Sequence, residues 1–126
     1  MKIKKVKCFK GIPRSYEYSD DAIYVFSLKN KNSFEIHLDG CTAVSFGKHT
    51  RFYCSSGTKL YLFDGFAFAA ENTKIYSFGK SEVEVADPTV KIYAHDFSTI
   101  IKKCNNHNII AVDKTVIIRN DLDDIF

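Results

Sequence analysis

Four groupings of side chains in this sequence are of types that can do chemistry. Glu82 and Glu84 stand two apart in "SEVEV", which on an extended strand puts both carboxylates on one face. Two acids that flank a cleft are the machinery of glycoside cleavage. Cys41, His49 and Cys54 fall within one short stretch, and Cys104 with His107 has a Cys-x-x-His spacing, so zinc is the metal to weigh. His95–Asp96 is the local His–carboxylate neighbour. Finally, Lys59, Lys74 and Lys91 each stand two before a tyrosine, at Tyr61, Tyr76 and Tyr93. A cation and a phenol repeated at fixed spacing serve recognition rather than bond breaking.

The first three groupings read more simply as structure. A zinc site of real strength needs two close ligand pairs, and Cys41 and Cys54 suit small core or corner positions. Neighbouring residues on a strand point to opposite faces, so His95 and Asp96 read as a turn. Glu82 and Glu84 lie between turns too short to build a groove. G-x-G-x-x-G, P-loop, H-E-x-x-H and G-x-S-x-G patterns are all missing. The expectation is a non-enzymatic chain with no catalytic residues, metal or cofactor.

The lysines and tyrosines need elements to hold them, and the repeat supplies those elements. "TKLYLF" at Thr58–Phe63, "TKIYSF" at Thr73–Phe78 and "VKIYAH" at Val90–His95 are variants of one phrase, with steps of 15 and 17 residues between their lysines. Thr42, Thr50 and Thr58, then Thr73, Ser81 and Thr89, recur every 8 residues, with a slip at Gly65–Asn72. Inside each unit apolar and polar residues alternate with period two, the signature of a short strand. Phe, Tyr and β-branched residues dominate, with 11 Phe, 7 Tyr and no Trp.

Short strands at even spacing predict an all-β repeat fold. Two units per coil put all three Lys/Tyr copies on one face, so the expected architecture is a β-solenoid (β-helix), right- or left-handed, of about 16 residues per coil. A three-unit triangular coil and an antiparallel short-strand sandwich are the alternatives. Residues 1–30 are expected as non-repeating N-terminal strands and a cap, residues 31–119 as the solenoid, and residues 120–126 as an acidic tail. The expected core is Val44, Phe52, Leu60, Leu62, Ile75, Val83, Val85, Ile92, Ile101, Ile110 and Val116, with Phe46, Cys54 and Ser77 also turned inward.

The net charge of +3 is too small to imply nucleic acid by itself. Its distribution is more informative. Lys2, Lys4, Lys5, Lys7, Lys10 and Arg14 precede the first acid, and Asp121, Asp123 and Asp124 crowd the end. Lys2, Lys4, Lys5 and Lys7 can contact phosphates, or protect a terminal strand from pairing. Cys8, Cys41, Cys54 and Cys104 form no Cys-x-x-Cys pair. With no signal peptide and no apolar run of membrane-spanning length, the expectation is a cytoplasmic protein with reduced thiols. An unpaired solenoid end can also pair with a second copy to give a homodimer.

"CTAVSFGKHTRFYCSSGTKLYLFDG" at Cys41–Gly65 and "NTKIYSFGKSEVEVADPTVKIYAHD" at Asn72–Asp96 resemble short-repeat all-β proteins of phages and mobile elements, whose repeats run roughly "ATVxAYGxA". Some small phage proteins of this size inhibit host defence, including anti-CRISPR proteins that bind an effector. The resemblance therefore implies a phage-type inhibitor with a host protein or ribonucleoprotein complex as partner. It supplies no catalytic residues.

Overall fold

The computed structural model describes residues 5–9, 18, 22–27 and 34–121. Lys2 and Lys4, and the acidic stretch from Leu122 on, lie outside the described residues. The fold is an all-β solenoid of two parallel sheets, with about six turns of roughly 17 residues each. Among the described residues one sheet has seven strands: β1 (Lys5–Phe9), β2 (Ala22–Phe26), β4 (Thr42–Ser45), β6 (Lys59–Phe63), β8 (Lys74–Phe78), β10 (Lys91–Ala94) and β12 (Ile109–Ala111). The other has six: β3 (Phe34–Asp39), β5 (Thr50–Ser55), β7 (Phe66–Ala69), β9 (Glu82–Val85), β11 (Thr99–Lys102) and β13 (Ile117–Asn120). From β3 onward the chain alternates between sheets at each corner, so each coil is two strand-and-corner units, one in each sheet. The strands of the N-terminal stretch, β1 and β2, continue the seven-stranded ladder in parallel register.

In-register parallel pairing stacks like positions into columns along the solenoid axis. The central inward column of the first sheet runs Tyr24, Ala43, Leu60, Ile75, Ile92, Ile109. Its counterpart in the second sheet runs Ile36, Phe52, Ala67, Val83, Ile100, Ile118. Leu60, Phe52, Ile75, Val83, Ile92 and Ile100 are fully buried. Size alternates so that the narrow interior stays filled: Ala43 follows Tyr24, and Ala67 follows Phe52. At the N-terminal end Phe9 and Tyr18 close the core over Tyr24 and Phe26, with ring centroids 4.9–6.5 Å apart. Truncating a fully buried leucine such as Leu60 to alanine costs about 2–5 kcal/mol.

Four of the expected inward positions differ. Val44 is half-buried and shares the outward row of Tyr61, because Thr42 pairs with Lys59 rather than with Thr58. Cys41, Ala43 and Ser45 therefore turn inward, and Phe46 is 53% exposed. Ile110 pairs with Tyr93 on the outward side and is 51% exposed, while Ile109 takes the inward place. Val116 packs against the core only in part.

The corners are held by hydroxyls and carboxylates. The buried Thr58 hydroxyl shares its one proton between the Ser55 carbonyl (2.8 Å) and the Leu38 carbonyl (3.2 Å) and accepts from the Gly40 N–H (2.9 Å). Ser81 and Ser98 use the same device, donating to the carbonyls of Phe78 and His95. Asp64 accepts from the Lys80 N–H at 2.8 Å, and Asp96 from the Gly79 N–H at 2.9 Å. On the opposite edge Asp87 accepts from the Glu71 N–H at 2.7 Å. Each such bond satisfies a backbone donor that the turn leaves outside the sheet. Gly65 sits at φ +126°, and a Cβ there would stand 2.7 Å from the Gly47 carbonyl oxygen.

Candidate functional site

The outward face of the seven-stranded sheet carries three parallel rows, and the register explains each. Lys59 pairs with Lys74 and Lys74 with Lys91, so the three lysines form one row. Two positions along each strand, Tyr61, Tyr76 and Tyr93 form the second. Their rings stack at 4.7 and 4.9 Å between centroids, with planes within 10°. That spacing is set by the distance between hydrogen-bonded strands, about 4.8 Å. The Lys/Tyr stripe expected from the repeat is thus gathered on one face.

A third row was not foreseen. Phe46, Phe63, Phe78 and His95 stack at 5.0, 4.6 and 4.5 Å. Its signal lies in the phrases themselves, since "YLF", "YSF" and "YAH" each place an aromatic ring two residues after the tyrosine. Each stacked pair is worth about 0.2–1 kcal/mol to the sheet. A shorter aromatic row on the second sheet links His37 to Tyr53 at 4.9 Å and Tyr53 to Phe68 at 6.1 Å.

The lysines interact with the phenol row beside them. The Lys59 ammonium lies 5.5 Å from the Tyr61 ring centroid and 5.7 Å from that of Tyr76. A hydrogen bond with the Tyr61 side chain holds the Lys59 ammonium above the usual lysine pKa, against a smaller opposing effect of burial. Because the tyrosine rings lie face to face within their row, most of their π-faces are covered by one another. Inside the row the surface presents ring edges, phenol oxygens and ammonium groups.

The other groupings are dispersed or absorbed by the scaffold. Glu82 and Glu84 lie side by side on the outward face of β9 rather than on facing walls. Glu82 borders an open depression of about 600 Å³ at a corner, lined also by Lys48, Asp64, Phe66, Lys80 and Phe97. Cys41 and Cys54 are buried and His49 is exposed. Burial, with a smaller contribution from Cys41, pushes the Cys54 thiol well above its ordinary pKa. Cys104 approaches the Val85 carbonyl at 3.8 Å, and His107 is exposed. Among the described residues no three His, Cys, Asp or Glu side chains converge as a metal site. His95 belongs to the aromatic row, and Asp96 to the corner. Of the N-terminal lysines, Lys5 and Lys7 lie on the terminal strand β1.

Comparison with protein-family models, with curated proteins and with solved structures finds no match.

Proposed function

We propose that this protein is a non-enzymatic interaction module that docks through the ladder face of its seven-stranded sheet. The observation that carries the reading is the alignment of Lys59, Lys74 and Lys91 beside Tyr61, Tyr76 and Tyr93 in unbroken register. The rows are rigid, because each ring is held by its neighbours and by the strand beneath, so little side-chain entropy remains to be lost on binding. The complementary partner is a protein surface with an apolar strip for the ring edges and carboxylates for the lysines. Base stacking by single-stranded nucleic acid fits less well, since it needs open ring faces. Within this reading, the resemblance to phage repeat proteins makes a host defence complex of the CRISPR type the first partner to test.

The experiment compares capture by the intact chain with capture by two variants from a host lysate, with and without nuclease. Tyr76→Ala with Lys74→Glu alters the ladder face, and Arg51→Ala with Glu82→Ala alters the opposite sheet. The expected result is a defined protein partner that survives nuclease, is lost with the first variant and is kept with the second. Expression of the chain should also relieve interference by the captured defence complex. Loss of all capture with nuclease would overturn the reading in favour of phosphate binding by Lys2, Lys4, Lys5 and Lys7.

A further inference from the structure

The two ends of the solenoid are built differently, and the difference bears on what each can meet. At the C-terminal end the inward columns lose their cover abruptly. Ile100 is fully buried, and Ile118, the next residue of its column, is 47% exposed. Ile92 is likewise fully buried, while Ile109 above it is only partly so. Ile117 is 54% exposed on the same strand. Beyond β12 and β13 no further strand pairs among the described residues. An apolar parallel edge of this kind is a template for another chain.

The N-terminal end carries the opposite device. Lys7 pairs with Tyr24, so it occupies the central inward column that runs through Leu60 and Ile75 to Ile109. A lysine in an inward position on a terminal strand obstructs stacking, because a further rung would bury its ammonium. Head-to-tail stacking of two copies would set Lys7 of one on Ile109 of the other. Head-to-head stacking would bring two lysine-rich strands together. Tail-to-tail contact alone avoids both. The last coil holds Lys114 and Arg119 with Asp113 and Asp121, the two acids already engaged by the Asp96 N–H and by Lys103, so two copies meet there with charges of both signs.

We propose that the C-terminal end, centred on Ile118, is the self-association surface of this chain, and that it pairs tail to tail with a second copy about a two-fold axis. The two-fold relation runs the paired edges antiparallel and closes the assembly as a dimer. Lys7 at the far end keeps the dimer from growing. The inference is independent of what the ladder face binds.

Sedimentation of the full chain over a wide concentration range tests it. The expected result is a monomer–dimer equilibrium that ends at twice the chain mass. Ile118→Lys, which copies the N-terminal device, should raise the dissociation constant by at least about tenfold while the far-ultraviolet spectrum stays β. Lys7→Ile should convert the dimer into longer assemblies. A wild-type chain that stays monomeric, or one that polymerises without limit, overturns the proposal, as does a folded Ile118→Lys variant with unchanged dimerisation. A Lys7→Ile variant that remains dimeric overturns the part assigned to Lys7. Should Ile118→Lys fail to fold, amide exchange in the wild type decides. Protection of Ile117–Asn120 that rises with protein concentration supports the proposal, and protection independent of concentration overturns it.

Discussion

Thr58 and Thr73 occupy the same inward column on adjacent rungs, yet replacing each with valine should move stability in opposite directions. The Thr73 hydroxyl is buried with no hydrogen-bond partner. An unpaired buried hydroxyl costs about 1–3 kcal/mol, and the methyl group that replaces it adds about 0.8 kcal/mol of burial. Valine already stands at the next position of the column, where Val90 is fully buried. Allowing for partial relaxation around the site, Thr73→Val should stabilise by about 1–2 kcal/mol. The Thr58 hydroxyl is satisfied both as donor, towards Ser55 and Leu38, and as acceptor from Gly40, so Thr58→Val removes that pairing and should destabilise by about 1–2 kcal/mol. Urea denaturation followed by circular dichroism reads both. With a slope of about 1–3 kcal/mol per molar, the midpoints should move apart by about 1 M or more. The two residues stand on adjacent rungs, so both variants perturb the same nearest-neighbour interface of the stacked array. Midpoints that shift in the same direction, with unchanged slopes, would refute the reasoning about hydroxyl pairing.

Asp87 titrates below its ordinary value near 3.8, chiefly because its carboxylate accepts the Glu71 N–H and then the Thr89 hydroxyl. Its contribution to stability is therefore present above the ordinary carboxylate pKa and is lost as pH falls through the lowered one. Acid titration of the folded fraction should show that loss, and Asp87→Asn should remove it. Gly79 has φ +66° and a Cβ there would stand 2.5 Å from Asp64 Oδ1, so Gly79→Ala should cost about 1–3 kcal/mol in thermal or urea denaturation. In the native state a thiol reagent should label exposed Cys8 quickly and leave buried Cys41 and Cys54 unlabelled until the chain is unfolded, as mass spectrometry can count.

The repeated Lys-apolar-Tyr phrase carried the register in plain view, because a parallel coil pairs like with like. That is why the solenoid, the coil length and the Lys/Tyr rows were legible in the sequence. The errors arose where the phrase is missing. Thr42 looked like the opener of a unit in phase with Thr58, but hydroxyl residues fit both sides of this sheet, and Cys41 holds the equivalent place. That phase turns Val44 and Phe46 inward, whereas the pairing of Thr42 with Lys59 turns them outward. At Ile109–Ile110 two identical side chains adjoin, so alternation gives no phase, and only pairing with Ile92 and Tyr93 fixes it. The Phe46–His95 row is written in the same phrases, but Phe46 follows Val44 rather than a tyrosine and His95 breaks the run of phenylalanines, so the phrase marks this row less plainly than the Lys/Tyr rows. The lysine in the terminal inward column could not be placed from composition, since it depends on Lys7 pairing with Tyr24.

The tyrosine row also has an optical consequence. Three phenol rings stacked nearly parallel at 4.7 and 4.9 Å are close enough for their electronic transitions to couple. Excitation absorbed by one ring is then shared along the solenoid axis, and the near-ultraviolet dichroism reports the row rather than its separate members. The sequence has no tryptophan to outshine this signal. A partner that tilts or quenches any one of the three phenols perturbs the coupled set, so this face carries its own spectroscopic label.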